Sequence, residues 1–260
     1  MNLRVSMADS LAAIALAAGA GARLAPLTLD LPKALCPVGG VALLDRALAA
    51  VEQVVGGGVE DVAVNAHHHA AAITGHVGGR AHVSVEQPEA LGTAGAVANL
   101  RPWLDGRAAL VVNADVWHTA DLAAMADGWT GERVRVLVAG AGGGPLARRP
   151  RLIGSLLPAW ATAPLPTEPS GLYEVCWRAL DALGWLEVVG ADVPHVDCGT
   201  PSDYLAANLA ASGGRTVVGE GAVVEGEAHR CVLWPGAVVR RGEVLVDAIR
   251  TGTGRTVLIR

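Results

Sequence analysis

Ala13-Ile14-Ala15-Leu16-Ala17-Ala18-Gly19-Ala20-Gly21-Ala22-Arg23-Leu24-Ala25-Pro26-Leu27-Thr28-Leu29-Asp30-Leu31-Pro32-Lys33-Ala34-Leu35 is the stretch whose reading decides the fold. It starts as a short aliphatic run and breaks at once into glycine, the pattern of a buried strand entering a tight turn. Glycine has no Cβ, so backbone N–H groups beside it approach phosphate oxygens closely. A dinucleotide fingerprint needs a third glycine three residues after the second. Leu24 holds that position, which disfavours a nicotinamide or flavin site. Lys33 is the only lysine in the 260 residues. An ammonium is a compact charge on a flexible stem, suited to phosphate oxygens that move during a reaction.

The whole segment resembles the signature of the sugar-1-phosphate nucleotidyltransferases. That signature reads roughly Gly-x-Gly-Thr-Arg-Leu-x-Pro-Leu-Thr, a short spacer, then Pro-Lys-Pro-Leu. Ala22 and Ala34 replace a threonine and a proline, and the remaining order and spacing match. The resemblance implies that Ala17, Ala18, Gly19 and Gly21 bind the nucleotide. It implies that Arg23 neutralises the β- and γ-phosphates and that Lys33 orients the attacking phosphate.

Leu110-Val111-Val112-Asn113-Ala114-Asp115-Val116-Trp117 carries a carboxylate to the end of an apolar strand. Mg²⁺ takes one or two carboxylates together with phosphates and water, so Asp115 is a candidate ligand; a helix cap or turn aspartate is the ordinary alternative. His195-Val196-Asp197-Cys198-Gly199-Thr200-Pro201-Ser202-Asp203-Tyr204 resembles the family's Trp-x-Asp-x-Gly-Thr-Pro-x-x-Tyr element, with His195 for tryptophan. The family's second metal-binding aspartate then falls on Asp197, and Asp203 reads as a cap for the following helix. Glu86-Gln87-Pro88-Glu89-Ala90-Leu91-Gly92-Thr93-Ala94-Gly95 resembles the nucleobase-side loop, which makes Gln87, Gly92 and Thr93 nucleotide-binding candidates; Asn113, two residues before Asp115, is a further one. The plainer reading of Thr93 is a helix N-cap. His67-His68-His69 invites a metal reading, but consecutive residues share no helix or strand face.

The family usually places a Glu-Lys pair in mid-chain against the sugar and its phosphate. No second lysine exists here. Arg148, Arg149 and Arg151 could hold the sugar phosphate, since guanidinium forks suit phosphate oxygens, or could be a solvated loop. Glu174 is a candidate sugar contact or a surface glutamate of a helix.

Around these motifs strand-like and helix-like stretches alternate. Ala42 to Val55, Ala70 to His76 and Thr93 to Leu100 read as helices; Val59 to Asn65, His82 to Glu86 and Ala108 to Asn113 read as strands. Such alternation predicts an α/β fold, a Rossmann-like and mostly parallel sheet flanked by helices. Gly140 to Pro169 reads as loops, and helical spacing returns near Leu172 to Leu183. From Val218 onward, aliphatic-Gly-x-x-Ala units about six residues apart resemble a short left-handed β-helix. The expected division is a catalytic domain over 1–212 and a β-helix tail over 213–260. The tail reads as structural or oligomerising, so a homo-oligomer is expected.

Composition narrows the function classes. A net charge of −5 gives no basic patch for nucleic acid. The absence of phenylalanine requires an aliphatic core with a few tryptophans. Cys36, Cys176, Cys198 and Cys231 lack metal-site spacing and read as small core residues of a cytoplasmic protein. Arg4 followed by Leu11 to Ala22 has the look of a secretory leader, but Asp9 interrupts it and the apolar run enters the phosphate motif, so it reads as the first strand. No run is long enough to span a membrane.

The resemblance implies transfer of a nucleotidyl group from an NTP to a sugar 1-phosphate, with Mg²⁺ as cofactor. The closest pattern is that of mannose-1-phosphate guanylyltransferases, with GTP as the guanylyl donor; Val-Asn-x-Asp-Val-Trp is similar to the N-acetylmuramate-1-phosphate uridylyltransferases. A regulatory subunit that binds a nucleotide-sugar without turnover is the rival reading.

Overall fold

The aliphatic run forms the strand Leu11–Leu16, buried almost throughout. Successive side chains of a strand point to opposite faces, so an unbroken apolar run means that both faces are covered. The strand pairs in parallel with Val62–Ala66 on one side and Ala108–Asn113 on the other. The computed structural model describes residues 11–146 and 150–259. These divide into two compact units.

The first unit holds the described residues through Gly19, then Ala47–Ala114 and His118–Pro194. Its seven-stranded sheet runs, in spatial order, Leu186–Ala191, Val134–Ala139, Leu152–Leu157, Ala108–Asn113, Leu11–Leu16, Val62–Ala66 and His82–Val85. All pairings are parallel except those of Leu152–Leu157, which is antiparallel to both neighbours. Helices Ala70–Val77 and Gly92–Asn99 connect strands, as their spacing predicts. One face buries Ala12, Ile14, Ala63, Val111 and Val136 beneath Ala94, Val97, Leu100 and Trp177. With no phenylalanine, small aliphatics and tryptophans fill this core.

The expectation of loops throughout 140–169 is corrected. Leu152–Leu157 is an inner strand and Ala159–Thr162 a short helix. The strand contains a single β-branched residue, a glycine and a buried serine, so neither propensity nor alternation reveals it. Gly154 fits there because a Cβ would lie 3.1 Å from the Val111 carbonyl oxygen. Leu172 to Leu183 is also less regular than its spacing suggests. It is a π-helical turn, Tyr173–Trp177, running into Arg178–Ala182.

The second unit holds Ala20–Arg46, Asp115–Trp117 and the described residues from His195 onward. Leu24, Leu27, Cys36, Val38, Trp117, Cys198 and Tyr204 share one core with Val232, Trp234 and Ile249 of the tail. Helix Pro201–Ser212 begins at a reciprocal cap. Thr200 Oγ1 accepts from the Asp203 backbone N–H at 3.2 Å and donates to Asp203 Oδ2 at 2.6 Å. Thr200 is therefore the N-cap, and Asp203 answers it from the first turn.

The tail consists of strands two or three residues long. Val217–Val218 pairs in parallel with Val232–Leu233, which pairs with Ile249 and Arg250; Val223–Val224 pairs with Val238–Val239, and Glu227–His229 with Val244–Val246. These are separate short ladders rather than a closed solenoid. A final antiparallel pairing joins Ala248–Arg250 to Thr256–Leu258. No helix among the described residues is long and apolar enough to cross a membrane.

Candidate active site

Gly21 and Lys33 meet in the second unit. Gly21 has φ +60°, the left-handed region that glycine tolerates, and an added Cβ would sit 2.8 Å from Thr28 Cγ2 and 2.9 Å from Lys33 Cβ. Gly19 differs, since a Cβ there would meet nothing within 4 Å. One glycine of the motif is thus required by packing against the lysine, and the other faces open space. Three short 3₁₀ turns, Ala22–Leu24, Leu27–Leu29 and Lys33–Leu35, carry the chain between them.

Lys33 is 6% exposed. Its Nζ donates to Asp115 Oδ2 at 2.8 Å and to Asp197 Oδ1 at 3.3 Å. Burial pushes the ammonium toward its neutral form, but the two carboxylates outweigh it and hold the group above its ordinary value. The structure therefore brings together three residues that the sequence keeps 82 and 164 positions apart. The Cys198 backbone N–H donates to the Asp115 carbonyl at 3.2 Å, which ties the two aspartate segments together. The Arg23 Nη2 atom lies 4.0 Å from Asp197 Oδ2, with both side chains largely in solvent. A Cβ on Gly199 would be 3.1 Å from that nitrogen, so Gly199 leaves room for the guanidinium.

The donors suit a hard cation. Asp115 and Asp197 offer only oxygen, and their side chains are 39% and 56% exposed, leaving room for waters and phosphate oxygens as further ligands. Among the described residues no cluster of three or more His, Cys, Asp or Glu side chains could hold an ion unaided. Cys36 and Cys198 belong to the same core, and burial pushes each thiol up to about 12.

The first unit carries the other expected nucleotide-binding residues. The Ala17 N–H donates to Asn65 Oδ1 at 2.7 Å, Asn65 Nδ2 donates to Glu86 Oε1 at 2.7 Å, and Glu86 Oε2 accepts from the Leu91 N–H at 2.8 Å. Glu86 is only 1% exposed, so this relay rigidly joins the end of the first strand to the loop through Gln87. Sequence reasoning misses Asn65 and Glu86 as site-shaping residues; their signal is a polar residue at the end of an apolar strand. Asn113 closes its strand opposite Leu16. His67 and His68 turn to different carbonyls, those of Glu86 and Ala18.

Thr93 is not an N-cap, which corrects that alternative. The helix begins after Leu91 without a side-chain cap, and Thr93 Oγ1 accepts from the Leu172 N–H at 2.8 Å. A Cβ on Gly92 would lie 2.5 Å from the Ser170 carbonyl oxygen, and one on Gly95 2.7 Å from that of Glu168. The small residues here admit the segment 168–172. Glu174 is exposed on the π-helical turn and folds back over Gly171. Arg148 and Arg149 lie outside the described residues. Arg151 lines a cavity of about 260 Å³ with Val138, Leu146, Pro150 and Val188.

Comparison with known proteins supplies relatives. The profile of the nucleotidyl transferase family matches residues 12–140. N-acetylmuramate alpha-1-phosphate uridylyltransferase of Caulobacter vibrioides is 36% identical over 136 residues, 48% of this chain and 55% of that protein. Mannose-1-phosphate guanylyltransferase of Mycobacterium tuberculosis is 35% identical over 122 residues, 44% of this chain and 33% of that protein. The matched stretch thus spans about half of the first relative's length and a third of the second's. A Thermus thermophilus protein described as mannose-1-phosphate geranyltransferase superimposes with a TM-score of 0.66 at 18% identity, covering 96% of this chain and 95% of that one. That likeness establishes the fold.

Proposed function

Because this chain belongs to the nucleotidyl transferase family, we propose that it transfers a nucleotidyl group from an NTP to a sugar 1-phosphate, releasing pyrophosphate. The observation that carries the reading is one buried ammonium held between two half-open carboxylates behind a glycine turn. An oxygen of the sugar phosphate attacks the α-phosphorus, and the bond from that phosphorus to the pyrophosphate oxygen breaks. A phosphate monoester dianion is already a nucleophile, so no side-chain nucleophile is needed. Catalysis then rests on positioning and charge stabilisation. Lys33 Nζ exchanges a carboxylate partner for a phosphate oxygen and fixes the line of attack. Arg23, exposed beside Asp197, receives charge on the departing pyrophosphate. Asp115 and Asp197 are the proposed Mg²⁺ ligands; when bound, the ion supplies charge neutralisation on the phosphates. The backbone at Ala17, Ala18 and Gly19, together with Gln87, Gly92, Thr93 and Asn113, remains the proposed nucleotide-recognition set.

For the donor we propose GTP with mannose 1-phosphate or a related sugar. Support comes from the guanylyltransferase relative and from the repeated aliphatic-Gly-x-x-Ala units of the tail, with a catalytic domain over 1–212 and a tail over 213–260 as the proposed division. A second reading, UTP with N-acetylmuramate 1-phosphate, is favoured by Val112-Asn113-Ala114-Asp115-Val116-Trp117 and by the uridylyltransferase relative. The lack of a second lysine keeps a non-catalytic sensor as the rival. A pyrophosphate-release screen of four NTPs against a panel of sugar 1-phosphates separates all three. Turnover with GTP and mannose 1-phosphate supports the first, and turnover with UTP and the muramate supports the second. Nucleotide-sugar binding without turnover on any pair rejects the enzyme.

A further inference from the structure

We propose that the C-terminal strands position Lys33, so that the tail is part of the phosphate-handling apparatus rather than an appendage for solubility or assembly. The inference rests on the role given to Lys33 above. Its basis is the way the segment bearing the lysine is held.

Lys33 lies between two anchor points, three residues after Asp30 and four before Pro37. Asp30 ends the 3₁₀ turn Leu27–Leu29, where its N–H donates to the Leu27 carbonyl at 3.1 Å. Its Oδ2 atom accepts from Thr253 Oγ1 at 3.1 Å and from Arg255 Nε at 3.2 Å. Both donors sit in the tight turn between the last two strands. That turn is closed by the Thr251 N–H on the Arg255 carbonyl at 2.9 Å and the Gly254 N–H on the Thr251 carbonyl at 3.0 Å. It is fixed from beneath as well: Thr251 is fully buried and its hydroxyl lies 2.8 Å from that of Thr253, while a Cβ on Gly252 would meet the Pro235 carbonyl oxygen at 2.4 Å. The Asp30 side chain is 12% exposed and Arg255 38%, so this pair is shielded far better than an ordinary surface bridge. Burial raises the Asp30 carboxyl, and the bonds from Arg255, Thr251 and Thr253 more than reverse that, leaving it below its usual value.

The second anchor is also tied to the tail. Trp234 Nε1 donates to Tyr204 Oη at 3.0 Å, and Tyr204 Oη donates to the Pro37 carbonyl. Asn208 Oδ1 accepts from the Gly39 N–H at 2.9 Å. On either side of the anchors and between them, Leu24, Leu27, Cys36 and Val38 pack in one cluster with Val232, Trp234 and Ile249. A lysine whose ammonium must lie within hydrogen-bond reach of moving phosphate oxygens needs a backbone that does not drift. A misplacement near 1 Å costs on the order of 100-fold in rate. Asp30 and Arg255 are thus positioning residues, acting through the backbone of 30–33.

The test compares the full chain with Asp30→Ala, Arg255→Ala, Arg255→Lys and the double variant Asp30→Ala/Arg255→Ala. Three readouts are taken: turnover on the best substrate pair, thermal midpoint, and hydrogen exchange of backbone amides. Each alanine variant is expected to lose roughly tenfold in kcat with KM for the NTP unchanged within about twofold. The double variant should be no worse than either single one, and Arg255→Lys should recover part of the loss. Amides of 27–35 should exchange faster in the alanine variants, while those of Leu11–Leu16 and Ala108–Asn113 keep their protection. Unchanged exchange at 27–35 in Arg255→Ala overturns the inference whether or not the protein turns over. So does a double variant whose losses multiply. A wild-type chain inactive on every substrate pair rejects the proposed function instead, and the exchange comparison still decides this one.

Discussion

Removing the lysine and removing the carboxylates from the Lys33 cluster should cost stability unequally, because the charges left behind differ in exposure. In Lys33→Met the groups left behind are Asp115 and Asp197, whose side chains are 39% and 56% exposed and can be hydrated where they stand. Methionine also refills much of the buried stem. The expected cost is about 1 kcal/mol, roughly 2–4 °C in Tm. In Asp115→Asn/Asp197→Asn the group left behind is an ammonium that is 6% exposed, with no anion to compensate it. An uncompensated buried charge costs about 3 kcal/mol or more, or roughly 6–12 °C. The stability order is therefore wild type, then Lys33→Met, then the double asparagine variant.

Turnover should fall steeply even in the less destabilised variant. Lys33→Met is expected to lose on the order of 10²–10³-fold, the usual effect of deleting one preorganised donor from a charge-stabilising site. The loss comes with little unfolding. A further readout needs no turnover: with the competing ammonium gone, the two carboxylates should bind Mn²⁺ more tightly in Lys33→Met than in wild type, as measured by calorimetry without nucleotide. Thermal unfolding and pyrophosphate release on the same preparations complete the comparison. A Lys33→Met protein less stable than the double asparagine variant would refute the reasoning about which charge is stranded. A near-normal rate would remove Lys33 from the mechanism.

Three other outcomes are expected. Activity should require Mg²⁺ or Mn²⁺, and Asp115→Asn and Asp197→Asn should each lose most of it; full activity in excess EDTA would be inconsistent with carboxylate-bound metal. Gly21→Ala should destabilise by about 1–3 kcal/mol through the positive φ and lower the rate by displacing Lys33, because the new Cβ meets the lysine stem at 2.9 Å; an alanine variant with unchanged Tm and rate would show that the turn relaxes freely. Burial raises the Cys36 thiol from 9.0 to about 12, so its contribution to stability should fall by about 1.4 kcal/mol per pH unit between those values and be flat below about pH 8. Cys36→Ala should remove that component of the alkaline loss, which urea titrations at about pH 8 and about pH 10.5 would measure; equal alkaline losses in the two proteins would contradict it.

The motif from Gly19 to Leu35 was legible because its chemistry is local: glycine spacing, one lysine and a spacer of fixed length. The pairing of Asp115 with Asp197 became legible only through resemblance, since nothing in the chain between them says that two strand ends converge. Leu152–Leu157 stayed hidden for a different reason. A strand buried between two neighbours needs no alternation, and one that runs antiparallel breaks the strand–helix rhythm on which the parallel sheet was inferred. Glu86 shows the limit most clearly. It reads as a polar residue opening a loop, yet its two oxygens are what fix Asn65 and the Leu91 N–H. The same limit applies to Gly92 and Gly95. The sequence assigns Gly92 to the nucleotide, whereas packing already requires both glycines, because the carbonyls of Ser170 and Glu168 occupy the space a side chain would need. A glycine beside a binding motif can therefore be required by a distant segment of its own chain, and only substitution at Gly92 with thermal stability and nucleotide affinity both measured separates that requirement from ligand contact.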